Sequence, residues 1–97
     1  MFRHVVLLRW KADATAEQRS HVNAGLAELP SLIPEIRDYK FGTDAGMNDG
    51  NFDLAIVADF DDVAAYLVYR DHPDHAALIA DRMKPILAER VAVQHEI

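Results

Sequence analysis

Ninety-seven residues carrying a formal net charge of −6 make one small domain, spanning 1–97. An acidic chain with no basic block repels phosphate backbones, which argues against nucleic acid as a partner. The chain has no cysteine, which removes disulfides, thiolate nucleophiles and Cys-ligated metal sites; it fits a reducing compartment, so a soluble cytoplasmic protein is expected.

The chain opens MFRHVVLLRW. Its apolar run is too short for a signal-peptide core or a membrane span, and Arg3 to Trp10 reads as a strand. His4, Val6, Leu8 and Trp10 point one way; Val5 and Leu7 point the other, with Arg9. A strand apolar on both faces needs cover on both sides. Thr15 and Gln18 then have the T-x-x-Q spacing of a capping box, which opens a helix. Val22, Leu26 and Leu29 form its apolar stripe, and Pro30 is expected to stop it.

Ile36 to Thr43 reads as a second strand, followed by DAGMNDGN at 44–51 as an exposed hairpin loop. Phe52 to Phe60 alternates, with Leu54, Ile56, Ala58 and Phe60 on one face and Asp53, Ala55, Val57 and Asp59 on the other. Asp61 or Asp62 caps a second helix that runs to about Tyr69. Pro73 suits the first turn of a third helix, which continues toward Met83 until Pro85 disturbs its end. Arg90 to Ile97 closes the chain as a strand, with Val91, Val93, His95 and Ile97 on one face.

The order is β-α-β-β-α-β, the ferredoxin-like α+β arrangement: a four-stranded antiparallel sheet with helices on one face. Val5, Leu7, Ala55 and Val57 remain on the other face. A homodimer that packs two such sheets together would cover them.

Chemistry concentrates in YRDHPDH, residues 69–75, where Tyr69, Asp71, His72, Asp74 and His75 are all able to exchange a proton. Preceding a proline, His72 is pushed out of the helical region and sits at a bend. His75 falls in the first turn of the third helix, where the positive end of the dipole keeps its ring neutral. A neutral histidine can act as a general base. Tyr69 keeps its phenol protonated and can donate to a carbonyl or enolate oxygen. The pair suits proton abstraction next to a carbonyl, the first step of aldol or Claisen cyclisation and of isomerisation through an enol.

Over nearly its whole length the chain resembles the stress-responsive α/β-barrel family, the Dabb domain. The resemblance is carried by RHVVLLRW at 3–10, LPSLIPEI at 29–36, FG at 41–42, Phe60 with its acidic cap, and Y-x-x-HP-x-H at 69–75. It implies a dimeric α+β barrel with a small cavity between each sheet and its own helices. Some plant members are polyketide cyclases that use a His and a Tyr of this motif without a cofactor. Carried over, the resemblance makes His75 the base and Tyr69 the oxyanion donor, with His4 orienting His75 or binding a substrate oxygen. It puts Val6, Leu8, Val22, Leu26, Ile56 and His72 around the substrate, a small carbonyl or apolar compound. This chain departs from a cyclase at Val22, Asn23 and Leu26, which lack the aromatic rings that would hold a planar polyketide.

Other readings stand beside this one. His-Pro can simply fix a bend while Tyr69 fills the core, and His4 can be a hydrogen-bonded strand residue. The cavity can hold an apolar metabolite without catalysis, or be filled in a stress-responsive dimer. His72 and His75, with Asp71 and Asp74 interleaved, have ligand types that suit divalent ions. The bend at Pro73 turns the two rings apart, however, and no H-E-x-x-H scaffold is present, so neither metal nor cofactor is expected. His21 is expected in solvent, and His95 has no assigned role.

Overall fold

The computed structural model describes residues 1–97. In chain order the elements are β1 (Phe2–Trp10), α1 (Ala16–Leu32), β2 (Asp38–Thr43), β3 (Leu54–Phe60), α2 (Val63–Asp71), α3 (Pro73–Leu78) and β4 (Leu87–Glu96). The strands form one antiparallel sheet in the order β2-β3-β1-β4. This is the ferredoxin-like α+β fold with its helices on one face. No helix is long and apolar enough to cross a membrane.

Alternation along the central strands creates two unlike faces. Toward the helices, β1 turns His4, Val6, Leu8 and Trp10, all at most 7% exposed. Their register partners on β3, Ala58, Ile56 and Leu54, are buried beside them. From the helices, Val22, Leu26, Leu29, Tyr66, Tyr69 and Leu78 close over this surface as one core. Burying a side chain such as Leu8 or Leu26 stabilises the fold by roughly 1.5–3 kcal/mol. The opposite face has no such cover, and Leu7, Val91 and Val93 are 37%, 43% and 64% exposed.

Local signals set the helix starts. Thr15 Oγ1 accepts the Gln18 amide at 3.1 Å while the Gln18 side chain accepts the Thr15 amide at 2.9 Å, a complete capping box. Asp62 caps α2 by accepting the Ala65 amide at 2.8 Å. His72 caps α3, its Nδ1 accepting the Asp74 amide at 3.1 Å, and Pro73 fills the first helical position. In the loop between β2 and β3, Gly46 and Gly50 have φ of 75° and 84°, the left-handed region that favours glycine.

Several boundaries differ from the sequence reading. Pro30 lies inside α1 rather than ending it. The helix runs two residues further, to Leu32, because this seats Ile33 in the core beside Leu29, and the Ile33 amide still bonds the Leu29 carbonyl at 2.9 Å. Burial outweighs the single hydrogen bond that proline forfeits. The third helix is not uniform: α3 ends at Leu78, a π-helical turn covers Ile79–Met83, and a 3-10 turn covers Lys84–Ile86. β2 starts at Asp38 rather than Ile36. β4 starts at Leu87 rather than Arg90, because a register shift between Arg9 and Trp10 lets Trp10 pair with Leu87.

Candidate active site

A cavity of about 230 Å³ lies between the helix face of the sheet and the α2–α3 layer. His4, Val6 and Leu8 line it from β1, Ile56 from β3, Leu26 from α1, and Tyr69 and His75 from the YRDHPDH stretch. Seven of the nine residues singled out from sequence therefore meet in one space. The other two do not line it. Val22 is wholly buried in the core, and His72 spends its ring on the α3 cap. Nine of the thirteen lining residues are hydrophobic, so the few polar groups sit in surroundings that strengthen their interactions. A larger open concavity of about 560 Å³, lined by Leu7, Ala55 and residues around the β2–β3 loop, gathers no acid/base pair.

His75 has a defined tautomer. α2 ends at Asp71, which leaves carbonyls of its last turn without helical partners. His75 Nδ1–H donates to one of them, the Arg70 carbonyl, at 3.1 Å. A carbonyl can only accept, so the proton belongs on Nδ1 and the lone pair on Nε2. Burial holds the imidazole pKa below its ordinary value; the Arg70 hydrogen bond opposes that shift, and the charges of Arg90 and His72 add to it. Desolvation is thus the main cause of the downward shift.

Tyr69 packs against that ring with centroids 4.2 Å apart. Its hydroxyl lies 3.2 Å from the hydroxyl of Tyr39, a β2 residue that spacing along the chain gave no reason to choose. With Tyr39 donating, the Tyr69 hydrogen is free to serve another acceptor. Burial raises the pKa of both phenols, so both keep their protons at neutral pH.

His4 is 4% exposed and is held from two sides. Tyr66 packs on its ring at 4.9 Å between centroids. Gln94, its register partner on β4, brings Nε2 to 3.0 Å from His4 Nδ1 and also donates to the Tyr66 hydroxyl at 3.0 Å. An amide nitrogen can only donate, so Nδ1 accepts and the imidazole proton is on Nε2. Burial, with smaller contributions from Arg90 and His75, lowers the His4 pKa to about 4. The ring is therefore neutral at pH 7.

The two histidines thus differ: His75 keeps a lone pair on Nε2, and His4 keeps a hydrogen there. Tyr66, Gln94, Tyr39 and Arg90 were not among the residues chosen from sequence. The signal for Gln94 and Arg90 lay in β4, where alternation sets Arg90, Ala92 and Gln94 on the face opposite Val91 and Val93. His72 and His75 do not converge, since one ring caps α3 and the other the end of α2. No group of three or more His, Asp or Glu side chains is placed to hold a metal ion.

The chain is similar to several solved structures. A dimeric ferredoxin-like protein of unknown function from Thermobifida fusca shares 45% identity, with a TM-score of 0.91 over 99% of this chain and 90% of that one. Hydroxynitrile lyase from Passiflora edulis shares 26% identity, with a TM-score of 0.85 over 99% and 92%. A dimeric ferredoxin-like protein of unknown function from Bacteroides fragilis shares 25%, with a TM-score of 0.84 over 99% and 95%. No curated protein matches the sequence. The model of the stress responsive A/B barrel domain matches residues 2–97, nearly every residue and every element described above. The chain belongs to the stress responsive A/B barrel (Dabb) family.

Proposed function

We propose that the protein is a cofactor-independent acid/base enzyme of the lyase, isomerase or cyclase type, acting on a small carbonyl compound. The observation that carries this is the His75 Nδ1–H bond to the Arg70 carbonyl, which leaves Nε2 as a base in a largely apolar cavity beside Tyr69. In this reading Nε2 takes a proton from the carbon next to a carbonyl. The electron pair moves onto the carbonyl oxygen, where the Tyr69 hydroxyl holds it, and the proton is returned at another atom. Taken instead from a hydroxyl, the same proton leaves an electron pair that forms a carbonyl as the adjacent carbon–carbon bond breaks. The leaving carbanion then recovers the proton from His75. The likeness to a hydroxynitrile lyase supports the second course. His4 Nε2–H serves as a further donor to the substrate, and Tyr39 backs Tyr69.

Size narrows the class. At about 30 Å³ per water in the liquid, 230 Å³ matches about eight waters, which suits a compound much smaller than a polyketide. The working unit in this reading is a homodimer. Its supports are the dimeric relatives and the apolar open face of Val5, Leu7, Ala55, Val57, Val91 and Val93.

The test is turnover of a panel of small hydroxynitriles and β-hydroxycarbonyl compounds, with proton exchange next to the carbonyl followed in D₂O. Expected is activity in the wild type that His75→Ala lowers on the order of 10²- to 10⁴-fold and that Tyr69→Phe also lowers, both variants remaining folded. Full activity in His75→Ala would refute the assignment. A second reading, storage or sensing of an apolar metabolite, is favoured by the nine hydrophobic lining residues. It predicts saturable binding without turnover or exchange.

A further inference from the structure

The lining of the cavity runs against the acidic balance of this protein. The chain has 16 Asp and Glu against 10 Lys and Arg, yet no carboxylate lines the cavity and two arginines do, Arg70 and Arg90. Arg70 is already matched: its guanidinium holds both oxygens of Asp71, at 2.8 and 3.0 Å. Arg90 is not. Its neighbour Glu89 faces Arg9 instead, and no carboxylate lies within ion-pairing distance of Arg90. β4 pairs Arg90 with Leu8, which brings it to the helix face of the sheet, where it lines the cavity while remaining exposed to solvent. Its charge is felt by the reactive groups, since it lowers the pKa of both His4 and His75.

We infer that Arg90 anchors a carboxylate, and that the substrate class is small oxo- or hydroxy-monocarboxylates whose apolar body lies on Val6, Leu8 and Ile56. This rests on the catalytic reading above and narrows it. A planar guanidinium offers parallel N–H groups matched to the two oxygens of a carboxylate. Phosphate fits less well, because its charge usually draws several donors or a free helix N-terminus. Here there is one unmatched cation, and the start of α3 is capped by His72. An acidic exterior would otherwise repel such anions, so an unmatched arginine at the cavity gives them a local point of entry.

The probes are 4-methyl-2-oxopentanoate and its methyl ester, which keep the carbonyl and the apolar body but differ in charge. Each is titrated calorimetrically into the whole protein, and exchange of its C3 hydrogens is followed by NMR in D₂O. The acid is expected to bind at least about tenfold more tightly than the ester, with a preference that shrinks in high salt. Arg90→Gln should erase the preference while leaving ester binding as it was, and Arg90→Lys should restore part of it. Equal binding of acid and ester, an acid preference that survives in Arg90→Gln, or binding of neither compound would overturn the inference. Acid preference without any C3 exchange would leave the carboxylate anchor standing and count against His75 as the base. Exchange of both probes at equal affinity would do the reverse.

Discussion

The two faces of the sheet use the same residue types for opposite ends. On the helix side, β1 contributes His4, Val6 and Leu8 to a core with a cavity set into it. One residue along, Val5 and Leu7 belong to a surface with no cover of its own, bounded at one end by the Arg3–Asp59 pair at 2.8 Å and at the other by Arg9 and Glu89. β4 shows the contrast most sharply, because its valines face outward while Arg90 and Gln94 face the helices. A strand that sends its polar residues inward and its valines outward marks two functions. Polar groups are turned toward the cavity where something must be held, and apolar ones toward the open face where another surface must be met.

Adjacent leucines give the largest test of this division. If the open face meets a second copy, Leu7→Glu buries a carboxylate without a partner at a cost of about 3–5 kcal/mol. Sedimentation should then show the variant as a monomer and the wild type as a dimer. A wild-type monomer at micromolar concentration would remove the contrast altogether. Leu8→Ala, one position away, should leave association intact and lower folding stability by about 3 kcal/mol in denaturant titration; a loss below about 1 kcal/mol would mean the helix face is loosely packed.

Acid should act on the cavity side first. The folded His4 pKa of about 4 lies below the value of about 6.5 for an unfolded chain, so the unfolded state takes up the proton first as pH falls. His75 is shifted in the same direction. Stability is complete above about pH 6.5 and is lost as pH falls toward 4. For His4 the loss is about 2 kcal/mol, allowing for solvent screening. Thermal unfolding across that range should lose much of its slope in His4→Gln; an unchanged slope would place the titration elsewhere. The smallest effect is expected from Tyr39→Phe. It removes one neutral hydrogen bond, about 1 kcal/mol, and should lower turnover roughly fivefold with no shift in the pH profile.

Element order and the alternation of β1 and β3 were legible because both follow from periods that burial enforces. The Thr15 capping box and the Pro73 helix start were legible because each is a local hydrogen-bonding problem with a short answer. Pro30 misled, since the burial of Leu29 and Ile33 that overrides it is a tertiary fact. The π-helical turn at Ile79–Met83 has no signature of its own in composition. In the cavity, Tyr69, His75 and His4 stood out by residue type and by resemblance. Their supports did not: Tyr39 reaches Tyr69 across 30 residues through the packing of α2 on the sheet, and Gln94 reaches His4 across 90 through strand register.

Gln94 carries a consequence for how such a pocket diversifies. Its amide nitrogen lies between His4 and Tyr66, and that one atom fixes which end of the His4 ring bears hydrogen. Glutamate has nearly the same shape but only oxygens there, so Gln94→Glu would draw the His4 proton onto Nδ1 and turn a lone pair toward the cavity. Ring ¹⁵N shifts would report the exchange directly. A donor would become an acceptor through a residue on an edge strand that does not itself line the cavity. Descendants of one ancestral pocket could therefore acquire different reactions by changing a single heteroatom outside it, leaving its shape unaltered.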